Sequence, residues 1–407
     1  MLKKMPHLPL YIFIVLAACF ITFQITYTKT DDYWTNKVTD MLFSGTTKVN
    51  NAVSEISEIV DENFLYTVDE NTASAKIMQG YAEALDRFSM YMTEKEYQEY
   101  LAIQNSPSKT GIGVNTLFDS NLEGVYVVSV YKNSPAASAG IVPGDIIVKV
   151  DGKSVNDMGF YTAMSIIGMG EENTSVNVTV KKLDGTLTSH DIVRKSVKTE
   201  TITGEKLQDG VGLIKINGFA TGDDEFFKTV LENLIVSGCE KFVLDVRNNS
   251  GGNIETISRM LDFLLPDVEL FTITDKSGAK NTVISDMNSV PYPLAVLVNE
   301  GTVGGAEVFA AALSNSDRVS LFGTRTYGKA TTQSVFALSS GGAVSISTTI
   351  YTPGNGKSFE NTGVEPHAIV ELPTELKMKF TTLAKEEDAP LKAAVSYLET
   401  QSVVSLD

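Results

Sequence analysis

Leu294–Val298 is five apolar residues in a row, followed by Asn299-Glu300-Gly301-Thr302 and then by the pair Gly304-Gly305. This stretch limits the fold more than any other. A continuous apolar run of that length reads as a strand covered on both faces. The turn and the glycine pair then open a helix expected over Ala306–Leu313. A second apolar strand is expected at Val319–Phe322, followed by a Gly-Thr turn and Tyr327-Gly328-Lys329. A buried strand, a tight Gly-rich elbow and a helix start are the parts that hold a nucleophile exposed above a sheet. The helix's first N–H groups are then offered to a developing oxyanion.

These residues resemble the carboxyl-terminal processing (tail-specific) peptidases, which use a Ser–Lys pair. In that family the elbow reads N-x-G-[ST]-A-S-A-S-E, with the first Ser after the Ala as nucleophile. The general-base Lys lies 25 positions later in F-G-K-G, and a Gln four further on orients it. Asn299, Gly301, Thr302 and Glu307 match that pattern, Lys329 lies in Y-G-K-A, and Gln333 is four beyond it. The nucleophile position, 25 before Lys329, is Gly304, and Ala306 stands where the second Ser would be. The resemblance therefore implies a base, Lys329, with its orienting Gln333, and no side chain to attack a carbonyl. Oxyanion donors and binding alone leave roughly 10³–10⁴-fold over water, so little or no peptidase activity is expected. The hydroxyls that could stand in are Thr302, Thr331 and Thr332. Without the resemblance, Gly304-Gly305 reads as a turn that only glycine tolerates and Lys329 as a surface lysine.

The resemblance runs from about Tyr81 to Val370. L-D-V-R-N-N-S-G-G, ending in Gly251-Gly252, is similar to the family's L-D-L-R-N-N-P-G-G, with Ser250 for the usual Pro. It implies oxyanion donors at Gly251, Gly252 and Gly305. Taken alone, Gly251-Gly252 is a strand-to-helix turn with free N–H groups. Ser134–Val155, with S-P-A-A-S-A-G-I-V-P-G-D, resembles the family's PDZ module. Gly111-Ile112-Gly113-Val114 supplies its carboxylate loop, where glycines let N–H groups converge on a peptide's terminal carboxylate while the peptide adds as a strand. A helix at about Phe160–Ile167 would form one wall of that groove. Upstream, A-L-D-R-F-S-M-Y-M loosely resembles the family's helical lead-in, with Arg87 and Phe88 where a Pro-Tyr pair falls. That region often dimerises in the family.

Strand–helix–strand alternation over Val211–Ile216, Asp223–Val236, Phe242–Val246 and Ile254–Leu265 points to a mixed α/β sheet. With 407 residues, two or three domains are the natural expectation. The fold class is α/β multidomain: a signal anchor over 1–29, a helical region 30–105, a PDZ β-sandwich or barrel module 106–198, a peptidase-like mixed α/β core 199–372 and a helical tail 373–407. The anchor is read from Lys3 and Lys4 ahead of the apolar run Leu8–Tyr27, long enough to span a bilayer. Its positive side leaves the N-terminus cytoplasmic and exports the rest, giving a single-pass cell-membrane protein. L-A-A-C, ending at Cys19, resembles a lipoprotein box, and a cleaved signal is a third alternative. Apolar residues after Cys19 favour the anchor.

Net charge is −17 and no long basic run occurs, so nucleic acid is not an expected partner. Cys19 and Cys239 are not expected to pair. His7, His190 and His367 are far apart, no Cys/His cluster has metal-ligand spacing, and no metal or cofactor is implied. The partners implied are protein or peptide C-termini, a second copy or an active paralogue, and the membrane through the N-terminal helix.

Overall fold

Every residue of the strand Leu294–Val298 is buried, and its pleat sends side chains two ways. Leu294, Val296 and Val298 join one apolar layer with Phe242, Leu244 and Phe309; Ala295 and Leu297 join another with Val211, Leu213 and Val243. The sheet that holds it has six strands in the order Ile202–Lys206, Val211–Ile216, Lys241–Asp245, Leu294–Val298, Val319–Gly323 and Ala368–Ile369. Only the first pair is antiparallel. Helices Asp223–Val236, Ile254–Leu264 and Gly305–Leu313 cover the first face, bringing Phe227, Leu231, Met260, Leu261 and Phe309 into its core.

The second face is closed by the helix Ala389–Thr400. Its Leu391, Ala394 and Leu398 are buried against Val243, Leu297 and Phe322. The stretch expected as a helical tail over 373–407 is thus one layer of the core. Asp388 caps this helix by accepting from Leu391 N and also binds Arg247, which in turn pairs with Asp245 at the end of a central strand. Burial alone would push the Asp245 carboxyl up; the Arg247 guanidinium beside it holds it below its usual range.

The computed structural model describes residues 46–105, 110–197, 200–207, 210–286 and 289–402. The anchor expected over 1–29 lies outside them, and no described helix is long and apolar enough to cross a membrane. Contacts divide the chain into Met1–Ala73 and Ser74–Asp407. In the first, the helix Thr46–Asn63 carries Val49, Val53, Ile56 and Val60 at helical spacing.

In the second unit the lead-in is not wholly helical. Met90–Met92 is a strand between the helices Glu70–Glu83 and Glu94–Asn105, and it pairs with Ala343–Ser345. It joins a second sheet with Glu269–Asp275, Lys280–Ile284, Thr331–Ala337 and Ala343–Pro353. A third sheet, Val114–Leu117, Val125–Val130, Ile146–Val150, Ser175–Lys181 and Leu187–Val193, encloses Val127, Ile147, Val178 and Ile192 together with the helix Phe160–Gly168.

Candidate active site and tail groove

Gly304 heads the helix Gly305–Leu313 at φ +60°, ψ −118°. Side chains with a Cβ rarely adopt that backbone, but space is not the obstacle. A Cβ at Gly304 would meet nothing nearer than Ser250 O at 3.8 Å. The turn is therefore a strained elbow with an open position at its tip, the shape that exposes a nucleophile.

Glu307, one turn into that helix and fully buried, ties the elbow to the loop of Lys329. Its Oε2 accepts from Gly304 N at 2.9 Å and Lys329 N at 2.8 Å. Its Oε1 accepts from Gly328 N at 2.6 Å and Thr326 Oγ1 at 2.5 Å. The backbone of the vacant position and that of the lysine share one carboxylate oxygen, so the two are neighbours. Burial pushes the Glu307 carboxyl up, while its four donors favour the charged form.

Lys329 Nζ donates to Gln333 Oε1 at 2.5 Å and Thr331 O at 3.0 Å. Gln333 is held in turn by Ser347, whose Oγ accepts from its Nε2 at 2.9 Å. Burial pulls the Lys329 amine down to about 8, against Glu360, Glu307 and Asp86, which favour its charge. An amine near neutrality can serve as a general base.

Gly251, Gly252 and Gly305 meet at the same place. A Cβ on Gly305 would lie 3.4 Å from Gly251 Cα and from Gly252 N. Gly251 departs from the expected role, because its N–H is spent inside the turn on Asn249 Oδ1 at 2.8 Å. The N–H groups of Gly252 and Gly305 have no acceptor among the described residues. Of the stand-in hydroxyls, Thr302 is fully buried and donates to Val246 O at 2.9 Å. Thr332 is bonded to Thr349 across the sheet, and Thr331 Oγ1 accepts from Gln333 Nε2 at 3.4 Å.

Sequence reasoning did not find the brace behind Lys329. Arg87 Nη2 donates to Tyr327 O and Gly328 O at 3.3 and 3.2 Å, and Nη1 pairs with Asp119 at 3.3 Å. Asp119 also accepts from the Tyr327 hydroxyl. The Phe88 ring lies 4.9 Å from Lys329 Nζ. Arg87 and Phe88 had been visible only as a departure from a Pro-Tyr pair, and 240 residues separate Arg87 from Tyr327.

The candidate tail groove lies in the third sheet. Gly111, Ile112, Gly113 and Val114 line a cavity of about 210 Å³ with Tyr131, Met164, Ile167 and Val197. Gly113 has φ +84°, and a Cβ there would sit 2.4 Å from Ser134 Cβ, so only glycine fits. The N–H groups of Ile112 and Gly113 donate to nothing among the described residues. Val114–Leu117 is the outer strand of its sheet, its free edge toward the helix Phe160–Gly168.

A family model described as peptidase family S41 matches residues 210–370, and a PDZ-domain model matches 126–182. The chain thus carries a peptidase family S41 region and a PDZ domain. The chain is 27% identical over 336 residues to the carboxy-terminal processing protease CtpA of Bacillus subtilis, covering 82% of this chain and 70% of that protein. It is 24% identical over 328 residues to a probable CtpA-like serine protease of Staphylococcus aureus, covering 79% of this chain and 65% of that protein. Among solved structures, the photosystem II D1 C-terminal processing protease shares the fold with a TM-score of 0.68, at 24% identity over 86% of this chain and 94% of that one.

Proposed function

We infer that this protein binds the C-terminal tails of other proteins through its PDZ groove and has lost proteolysis at its S41 centre. The observation that carries this is Gly304, which leaves Lys329 and the Gly252 and Gly305 N–H groups with no atom to bond a scissile carbon. The names of the relatives, carboxy-terminal processing proteases, support tails as the ligand class. The test is a set of assays on the full chain: titration with tail peptides, incubation with unfolded protein, and separate labelling with a fluorophosphonate probe. Tail binding without turnover or labelling is expected. Turnover that Lys329→Ala abolishes would overturn the loss of proteolysis.

A second reading is an active endopeptidase using another hydroxyl. The placement of Thr331 beside Gln333 favours it, and a probe adduct on Thr331 would establish it. The loss of catalysis also suits a scaffold for an active paralogue or a second copy, which co-purification tests. The apolar run Leu8–Tyr27 would tether the exported domains to the membrane, and retention of the protein in membranes after alkaline washing tests that.

A further inference from the structure

This inference rests on the tail-binding reading, in which the usual mode would have a peptide add along the free edge of Val114–Leu117. Two side-chain contacts already bridge that edge to the facing helix Phe160–Gly168, and a close backbone approach lies beyond one end. Beside the carboxylate loop, a Cβ on Gly111 would lie 3.2 Å from Gly168 Cα. Halfway along, Thr116 Oγ1 donates to Met164 Sδ at 3.4 Å. At the far end the rings of Phe118 and Phe160 meet edge to face with centroids 5.7 Å apart.

What stays open is the cavity of about 210 Å³ under the Ile112 and Gly113 N–H groups. For scale, an apolar cavity of about 150 Å³ takes up benzene. The space suits one apolar side chain with its carboxylate. It is too small for an extended strand.

The helix is fixed at both ends. Gly159, just before it, lies so close to Glu96 that a Cβ would collide with Oε1. Thr162 Oγ1 donates to Glu99 Oε2 at 2.5 Å, and Tyr161 meets Tyr100 edge to face at 5.1 Å. At the other end Ile166 O accepts from Nε of the buried Arg194 at 3.0 Å. With the helix held, the width of the groove is set by the side chains that cross it.

We propose that the groove reads only the terminal residue of a tail, an apolar one, and that Met164, Thr116 and the Phe118–Phe160 pair shut out the residues before it. Met164 is the side chain whose shortening opens the groove at least cost, because it is only partly buried and alanine keeps the helix.

The test is titration of the full chain with acetylated peptides of two and eight residues sharing the same apolar end. The wild-type protein binds both within about threefold. Because Met164 also lines the terminal cavity, the readout is the ratio of the two affinities: Met164→Ala raises the preference for the long peptide over the short one about tenfold, 1.4 kcal/mol. Thr116→Val, nearly isosteric, gives a smaller gain in the same direction and serves if Met164→Ala does not fold. A wild-type protein that already gains tenfold from the longer tail overturns the closed groove and leaves tail binding standing. Failure of all three proteins to bind either peptide overturns both.

Discussion

Replacing Gly304 by serine puts an oxygen where the elbow points. The cost can be worked from the turn itself. No atom lies closer to the new Cβ than Ser250 O at 3.8 Å, so the substitution creates no clash. What it adds is backbone strain at φ +60°, ψ −118°, of order 1–3 kcal/mol for a residue with a side chain. In a domain of this size that lowers the melting temperature by roughly 2–12 °C. The gain is chemical. Removing the nucleophile of a well-studied serine protease costs about 10⁶ in kcat, which bounds what restoring one can return. We expect at least a 100-fold rise in hydrolysis of an unfolded substrate over the wild-type protein.

The pH dependence has a definite sign. The base must be neutral to take the serine proton, and burial sets the Lys329 amine at about 8. Activity of Gly304→Ser should rise about tenfold per pH step below that value and level off above it. The assay is fluorogenic hydrolysis from pH 6 to 9.5, with mass spectrometry of the fluorophosphonate adduct and Gly304→Ser/Lys329→Ala as control. A folded Gly304→Ser protein that stays unlabelled and inactive at pH 9 would refute the reasoning, since backbone, donors and base would then not form a competent centre.

Three other perturbations have clear outcomes. Glu307→Ala strips the acceptor from the N–H groups of Gly304, Gly328 and Lys329; at about 1–3 kcal/mol for each buried orphan, denaturant unfolding should show a loss above about 3 kcal/mol, and adding this change to Gly304→Ser should erase any recovered activity. Asp388→Ala leaves Arg247 without one of its two buried carboxylates and should cost about 3–5 kcal/mol in the same measurement. Because Arg247 holds Asp245 below the usual carboxylate range, that cluster's contribution is complete above the usual range and fades only as acid falls through the lowered value, so acid unfolding of the wild-type protein should begin below about pH 4. Gly113→Val, which forces a Cβ onto Ser134, should weaken tail binding at least tenfold in a peptide titration while leaving unfolding of the peptidase-like core unchanged.

Leu294–Val298 and Asp223–Val236 were legible in the sequence to the residue, the first as an unbroken apolar run and the second by its helical period. The second sheet was mostly invisible. Glu269–Asp275 and Lys280–Ile284 are rich in threonine and charge and pair with each other, while Glu269–Asp275 and the threonine-led Thr331–Ala337 are held on the long strand Ala343–Pro353. That sheet carries Gln333 and its partner Ser347, so the residue was found by spacing from Lys329 and its holder was not found at all. The closing helix was legible and was undervalued. Asp388 as cap, Pro390 in the first turn, and Leu391, Ala394 and Leu398 on one face are a helix start and a buried stripe. Nothing local marks Arg87, whose carbonyl partners Tyr327 and Gly328 lie some 240 residues away.

The shape of the site does not depend on a side chain at position 304, for a physical reason. Glu307 accepts from the N–H groups of Gly304, Gly328 and Lys329 and from the Thr326 hydroxyl whether or not a hydroxyl projects from position 304, since the donors are backbone and Thr326. Elbow and lysine loop are therefore cross-linked by a structural carboxylate, and the strained turn is what that cross-link holds in place. Lys329 is similarly over-determined. With an amine at about 8, roughly nine in ten molecules carry the charge at pH 7, and that charge is met by Glu360, Glu307 and Asp86 and by the face of Phe88. A lysine so surrounded has a reason to stay that owes nothing to turnover. The absence at position 304 consequently weighs more than the presence at 329, and only chemistry measured on the unaltered chain can reverse that ordering.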